Sequence, residues 1–123
     1  DAKKAVDIGC TGIMVSNHGG RQLDGSRAPF DQLAEICDAV GDKIDVVCEG
    51  GIQRGTHVLK ALSVGAKACS VGRFYLYALA AAGQDGVERA LHKIEKEIER
   101  DMKLMGITSL SELNRENLRF RKS

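Results

Sequence analysis

Hydrophobic positions along the chain fall into two alternating kinds of segment. Three runs are short, continuous and rich in β-branched or small residues: residues 12–16 (GIMVS), 44–48 (IDVVC) and 68–71 (ACSV). Each is followed by a glycine-containing turn, the pattern of buried parallel strands. The segments between them repeat at helical spacing. Residues 2–8 read as the end of a helix closed by Gly9. Residues 30–40 place Leu33, Ile36, Cys37 and Val40 on one face, and residues 56–64 group Val58, Leu59 and Leu62 before Gly65. The longest pattern, residues 87–105, sets Val87, Leu91, Ile94, Ile98, Met102 and Met105 on one stripe, with Glu95, Lys96, Glu99 and Arg100 as a solvated face. Residues 111–123 are polar, with Ser109 as a candidate N-cap for a short terminal helix.

Strict alternation of strand and helix predicts an α/β fold with a parallel sheet. A (β/α)₈ TIM barrel needs about 250 residues, so 123 residues supply roughly three of its eight units. The expected architecture is therefore the C-terminal part of such a barrel, about strands 6–8 and their helices. A small doubly wound sheet is the alternative. Residues 1–113 form the α/β portion, and residues 114–123 a polar tail. A start at Asp1 instead of methionine suggests a fragment.

Composition narrows the function classes. Eighteen basic and 17 acidic residues give a net charge of +1, which argues against nucleic acid or an anionic membrane surface as partner. Aromatic residues make up 4% with no tryptophan, too few for base stacking. The most apolar stretch, residues 74–82, is too short to span a bilayer, and no signal peptide is visible. Cys10, Cys37, Cys48 and Cys69 form no C-x-x-C motif and are expected to be reduced and buried. His18, His57 and His92 lack ligand spacing, so no metal site is expected. Tyr75 and Tyr77 are expected to pack rather than react.

Chemistry concentrates at three strand ends. The first is SNHGGRQLDG, residues 16–25. A histidine at a strand end can accept a proton near neutral pH. Arg21, three residues on, can offer a planar fork to a carboxylate. Base and clamp together suit a small acid with an oxidisable hydroxyl. The second is EGGIQRGT, residues 49–56, a glycine turn opening a helix, where backbone N–H groups and Arg54 could hold an anion. The third is GRFY, residues 72–75. Loops after strands 7 and 8 of barrels often bind phosphate.

These three motifs, in this order, resemble the FMN-dependent α-hydroxy-acid dehydrogenase family, from residue 1 to about residue 113. The resemblance implies a TIM barrel with FMN at the C-terminal ends of its strands. It implies His18 as catalytic base and Arg21 as binder of the substrate carboxylate. Ser16 would contact the flavin. Glu49, Gly50, Gly51, Ile52 and Gln53, with Arg54, Gly72 and Arg73, would hold the ribityl chain and phosphate. The chain departs from the family pattern at Glu49 and His57, where aspartate is usual, and at Gln53, where arginine is usual. The implied reaction converts a small (S)-2-hydroxy acid, L-lactate or similar, to a 2-oxo acid. Oxygen, a quinone or a cytochrome would then take the electrons. The implied assembly is a homo-oligomer, commonly a tetramer, cytoplasmic or peripheral to a membrane. The flavin-contacting lysine, the substrate-binding tyrosines and the aspartate that orients the histidine would lie upstream, so the chain alone is expected to be inactive and poorly folded. Alternatives are another FMN- or phosphate-binding barrel, such as a type 2 isopentenyl diphosphate isomerase, and a partial barrel that binds FMN without turnover.

Overall fold

The computed structural model describes residues 1–120. Three strands, β1 (Gly12–Val15), β2 (Asp45–Glu49) and β3 (Ala68–Ser70), form one parallel sheet in the order β1-β2-β3. They lie within a residue of the runs read from the sequence. Helix α1 (Ala2–Asp7) precedes β1, and α2 (Pro29–Val40) and α3 (Gly55–Val64) supply the connections. The register pairs Val15 with Cys48 and Glu49 with Ser70. All three strands therefore end along one edge of the sheet.

The core lies between the sheet and the helices α2 and α3. Leu33 and Val40 of α2 meet Val15, Val46 and Cys48 of the strands and Ala61 and Val64 of α3. Leu33 and Cys48 are fully buried. A fully buried leucine such as Leu33 contributes roughly 1.5–3 kcal/mol of transfer free energy. Pro29 at the first turn of α2 pre-sets its φ and lacks an N–H that the helix would leave unpaired.

The last helix differs most from the expected 87–105. α4 runs over Arg73–Met105 but breaks at Ala82 (φ −153°) and Gly83 (φ 57°), so it has two arms. The apolar residues 74–82 form the first arm, and the second folds back on it. Gly86 lies so close that an added Cβ would sit 2.1 Å from the Ala78 carbonyl oxygen. Tyr75 and Tyr77 on the first arm are exposed, not packed within this chain, and Met14 on β1 is exposed as well. Of the cysteines, only Cys48 is buried; Cys10 is exposed, while Cys37 and Cys69 are half-buried, and all four are free.

After α4, Ser109 caps only a single 3-10 turn, Leu110–Glu112, in a reciprocal box with Glu112. A second turn, Arg115–Asn117, packs back on the body. Arg115 donates to the Val64 carbonyl at 3.1 Å and pairs with Asp38 at 2.5 Å, which holds the Asp38 carboxyl below its ordinary range. The part of the tail beyond residue 120 lies outside the described residues.

One buried carboxylate ties the second arm of α4 to α3. Glu97 is 6% exposed. It accepts from the Gly55 N–H at 2.8 Å and from Arg54 Nε at 2.9 and 3.0 Å. Glu97 thus caps the N-terminus of α3 from another helix, where a negative charge is favoured. Only glycine fits at residue 55, because an added Cβ would sit 2.6 Å from the Glu97 Cβ. The Gly55 N–H, then Arg54, lower the Glu97 pKa. A depressed carboxylate stabilises the fold above its unfolded value of about 4.3 and loses that stabilisation as pH falls through the folded value. Urea unfolding of the intact protein is therefore expected to show a stability loss below about pH 4.3 that is smaller in Glu97→Gln. At pH 7 the variant should be less stable by about 1–3 kcal/mol. Equal acid limbs in the two proteins would contradict the capping role.

Candidate active site

The three motifs meet at the C-terminal edge of the sheet around a pocket of about 430 Å³. His18, Gly19 and Arg21 line it from the loop after β1. Glu49, Gly50, Gly51, Ile52 and Gln53 line it from the turn after β2, and Gly72 and Arg73 from the start of α4. Phe74, Leu76 and Tyr77 add an apolar wall that sequence reasoning did not assign to the site.

Two expected residues lie outside the lining. The Arg54 side chain turns to Glu97. Ser16 lies behind the pocket wall, where its hydroxyl donates to Glu49 Oε2 and its oxygen accepts from the His18 N–H at 3.0 Å. The end of β2 therefore holds the loop that follows β1 through one hydroxyl. Glu49 also borders the third turn, since an added Cβ on Gly72 would lie 3.4 Å from its Oε1.

The loop after β1 has an unusual backbone. His18, Gly19 and Gly20 have φ of 53°, 65° and 73°, three successive left-handed residues. A non-glycine residue there is strained and is found mostly where function requires it. Asn17 supports the turn by accepting from the Gly19 N–H at 3.0 Å. The His18 Nδ1 lies 2.5 Å from Gln22 Oε1. An amide oxygen only accepts, so this contact is a hydrogen bond in the tautomer that carries its proton on Nδ1. Gln22 was within the motif, but its role was not read from the sequence.

The turn after β2 is tied down similarly. His57 on α3 accepts from the Gln53 N–H at 3.3 Å through Nδ1, so it buttresses the glycine turn. His92 is exposed and faces Glu95 on the outside of α4. Among the described residues no group of histidine, cysteine or carboxylate side chains is arranged to hold a metal. Cys48 and Cys69 are neighbours in register, and burial pushes their thiols up to about 11 and about 12. Both stay protonated at neutral pH and supply no nucleophile.

Parallel βα units that bring glycine turns, a histidine and two arginines to the C-terminal edge of the sheet have the architecture of a (β/α) barrel segment. The comparisons give the family. The FMN-dependent dehydrogenase model matches residues 1–120, and the chain belongs to that family. It is 49% identical to L-lactate dehydrogenase (cytochrome) of Saccharomyces cerevisiae, over 92% of this chain and 20% of that protein. It is 46% identical to L-lactate oxidase of Nostoc sp., over 93% of this chain and 31% of that protein. Among solved structures, a flavocytochrome b2 variant with sulfite bound superposes with a TM-score of 0.90 at 48% identity, over 94% of this chain and 31% of that one. Mandelate oxidase superposes at 0.88 and 49% identity, over 94% of this chain and 35% of that one. The chain thus spans a fifth to about a third of its relatives, and its fold is the C-terminal part of a TIM barrel.

The cofactor of the family is FMN, and the residues present fit its phosphate end. Arg73 brings a guanidinium to the pocket at the first turn of α4, where backbone N–H groups lack helical partners. Gly51 leaves open space, with nothing within 4 Å of an added Cβ. Gln53 offers neutral donors where a cation is usual in the family. In the intact protein, imidazole ¹⁵N shifts should place the His18 proton on Nδ1. Gln22→Met should reduce that preference by about 1 kcal/mol, and unchanged shifts would contradict the Gln22 contact.

Proposed function

We propose that this chain is the catalytic C-terminal portion of an enzyme that oxidises a small (S)-2-hydroxy acid, L-lactate first among those to test, to the 2-oxo acid. The observation that carries this reading is that His18 and Arg21 line the same pocket as Arg73 and the glycine turn after β2. A base, a carboxylate fork and a phosphate cradle then open onto one space. The relatives named as lactate dehydrogenase and lactate oxidase support the same substrate class.

FMN, when bound, supplies the acceptor for the two electrons leaving the substrate α-carbon. Arg21 pairs with the substrate carboxylate through a charge-assisted fork and fixes which end of the acid faces His18. His18, with its Nδ1 proton held by Gln22, takes a proton at Nε2 from the α-carbon or the hydroxyl. The Ser16 and Glu49 contacts keep the His18 backbone in its left-handed turn. Phe74, Leu76 and Tyr77 limit water on one side of the pocket. By the same reading the working unit is a complete barrel, homo-oligomeric, cytoplasmic or peripheral to a membrane, that passes electrons to oxygen, a quinone or a cytochrome.

Anaerobic mixing of the full-length protein with L-lactate should bleach the flavin absorbance. His18→Gln should slow bleaching by about 10²- to 10⁴-fold. Arg21→Lys should raise the KM roughly 10- to 100-fold. Equal bleaching by the His18 variant would overturn the assignment of the base. The isolated 123-residue chain should bind FMN poorly, and micromolar binding in a fluorescence titration would contradict its dependence on the rest of the barrel.

A further inference from the structure

The guanidinium of Arg73 does more than face the phosphate cradle. Its Nη2 donates to the Gly19 carbonyl oxygen at 2.8 Å, across 54 residues of sequence. Gly19 is the middle of the left-handed turn that begins at His18. The contact is close: a Cβ on Gly19 would lie 2.2 Å from that nitrogen. The Gly19 N–H is held by Asn17, and the His18 N–H by Ser16. These two bonds are local to the loop. Arg73 ties the turn to the start of α4.

A guanidinium has five donors in a planar fork. One donor on Gly19 leaves the others for an anion at the first turn of α4. We propose that Arg73 is a positioning residue for His18, bridging the phosphate of the cofactor and the Gly19 carbonyl so that order in the base-bearing loop depends on phosphate. The physical reason is entropic. A long side chain anchored by an anion has already lost its rotamer freedom, so its bond to Gly19 costs less. A strained His18 followed by two conformationally free glycines needs such an outside hold to keep one conformation.

This inference rests on the FMN reading, but its test does not need turnover. Hydrogen exchange of residues 17–22 is measured in the full-length apo-protein, alone and saturated with FMN or with riboflavin, which lacks the phosphate. In wild type, FMN is expected to slow exchange of these amides about tenfold more than riboflavin does. Arg73→Ala is expected to speed exchange in the apo-protein about tenfold and to erase the difference between FMN and riboflavin. Arg73→Lys keeps the charge but not the fork, so it should recover part of the FMN affinity and little of the loop protection. Exchange in β2 and α2 serves as the folding control, and if Arg73→Ala loosens these too, Arg73→Lys decides. Unchanged loop exchange in the variants, with weakened FMN binding, would make Arg73 a phosphate ligand only and overturn the proposal. Equal protection of wild type by riboflavin and FMN would overturn it as well. Loss of lactate oxidation with the expected exchange pattern would fault the functional reading and leave the coupling standing.

Discussion

Parallel pairing of three strands is the constraint on which the site depends. Parallel strands share a direction, so their C-terminal ends fall on one edge, and every connection must return over a face of the sheet. The pairs Val15 with Cys48 and Glu49 with Ser70 set the ends level. His18, Gly19 and Arg21, residues 49–53, and Gly72 with Arg73 are far apart in sequence but become neighbours around one pocket. A slip of one residue would turn every side chain to the other face. It would also take Glu49 away from the Ser16 hydroxyl that supports the His18 backbone.

The arginines of the three strand ends have different partners. The buried Glu97 carboxylate engages Arg54 and the N-terminus of α3. The carboxylate already occupies the anion position there, so α3 is capped from inside the protein. The N-terminus of α4, with Arg73, has no side-chain cap and no acidic residue in its first turn. Arg21 lines the same pocket from the loop that carries His18. Two cations on one pocket, from different loops, suit a substrate carboxylate and a cofactor phosphate held in one space.

The strands were legible because each is a short apolar run bounded by glycine turns, and α2 and α3 because one stripe of each faces the sheet. The motif residues were legible by type and spacing. Other features were not, for physical reasons. Glu97 lies three residues after Ile94, on the buried stripe, yet it reads as part of a solvated charge run. Its burial depends on meeting the Gly55 N–H, a contact 42 residues away. The first arm of α4 is apolar over residues 74–82, without the polar face that marks an amphipathic helix. Its break depends on the positive φ of Gly83. The redirection of Arg54 and the hold of Gln22 on His18 depend on side-chain geometry, which spacing alone does not encode. Cys10 shows the opposite failure: an apolar neighbourhood in sequence gave an exposed thiol, because it lies in the turn before β1.

The central claim is that one edge of this sheet holds base, carboxylate clamp and phosphate cradle around a single bound cofactor. The most direct measurement is a crystal structure of the full-length protein with FMN and a 2-oxo acid. The account predicts His18 Nε2 and Arg21 in hydrogen-bond contact with the acid. It also predicts Arg73 and the first turn of α4 on the phosphate, and Arg54 still paired with Glu97. FMN phosphate bound away from Arg73, or an acid that touches neither His18 nor Arg21, would contradict it.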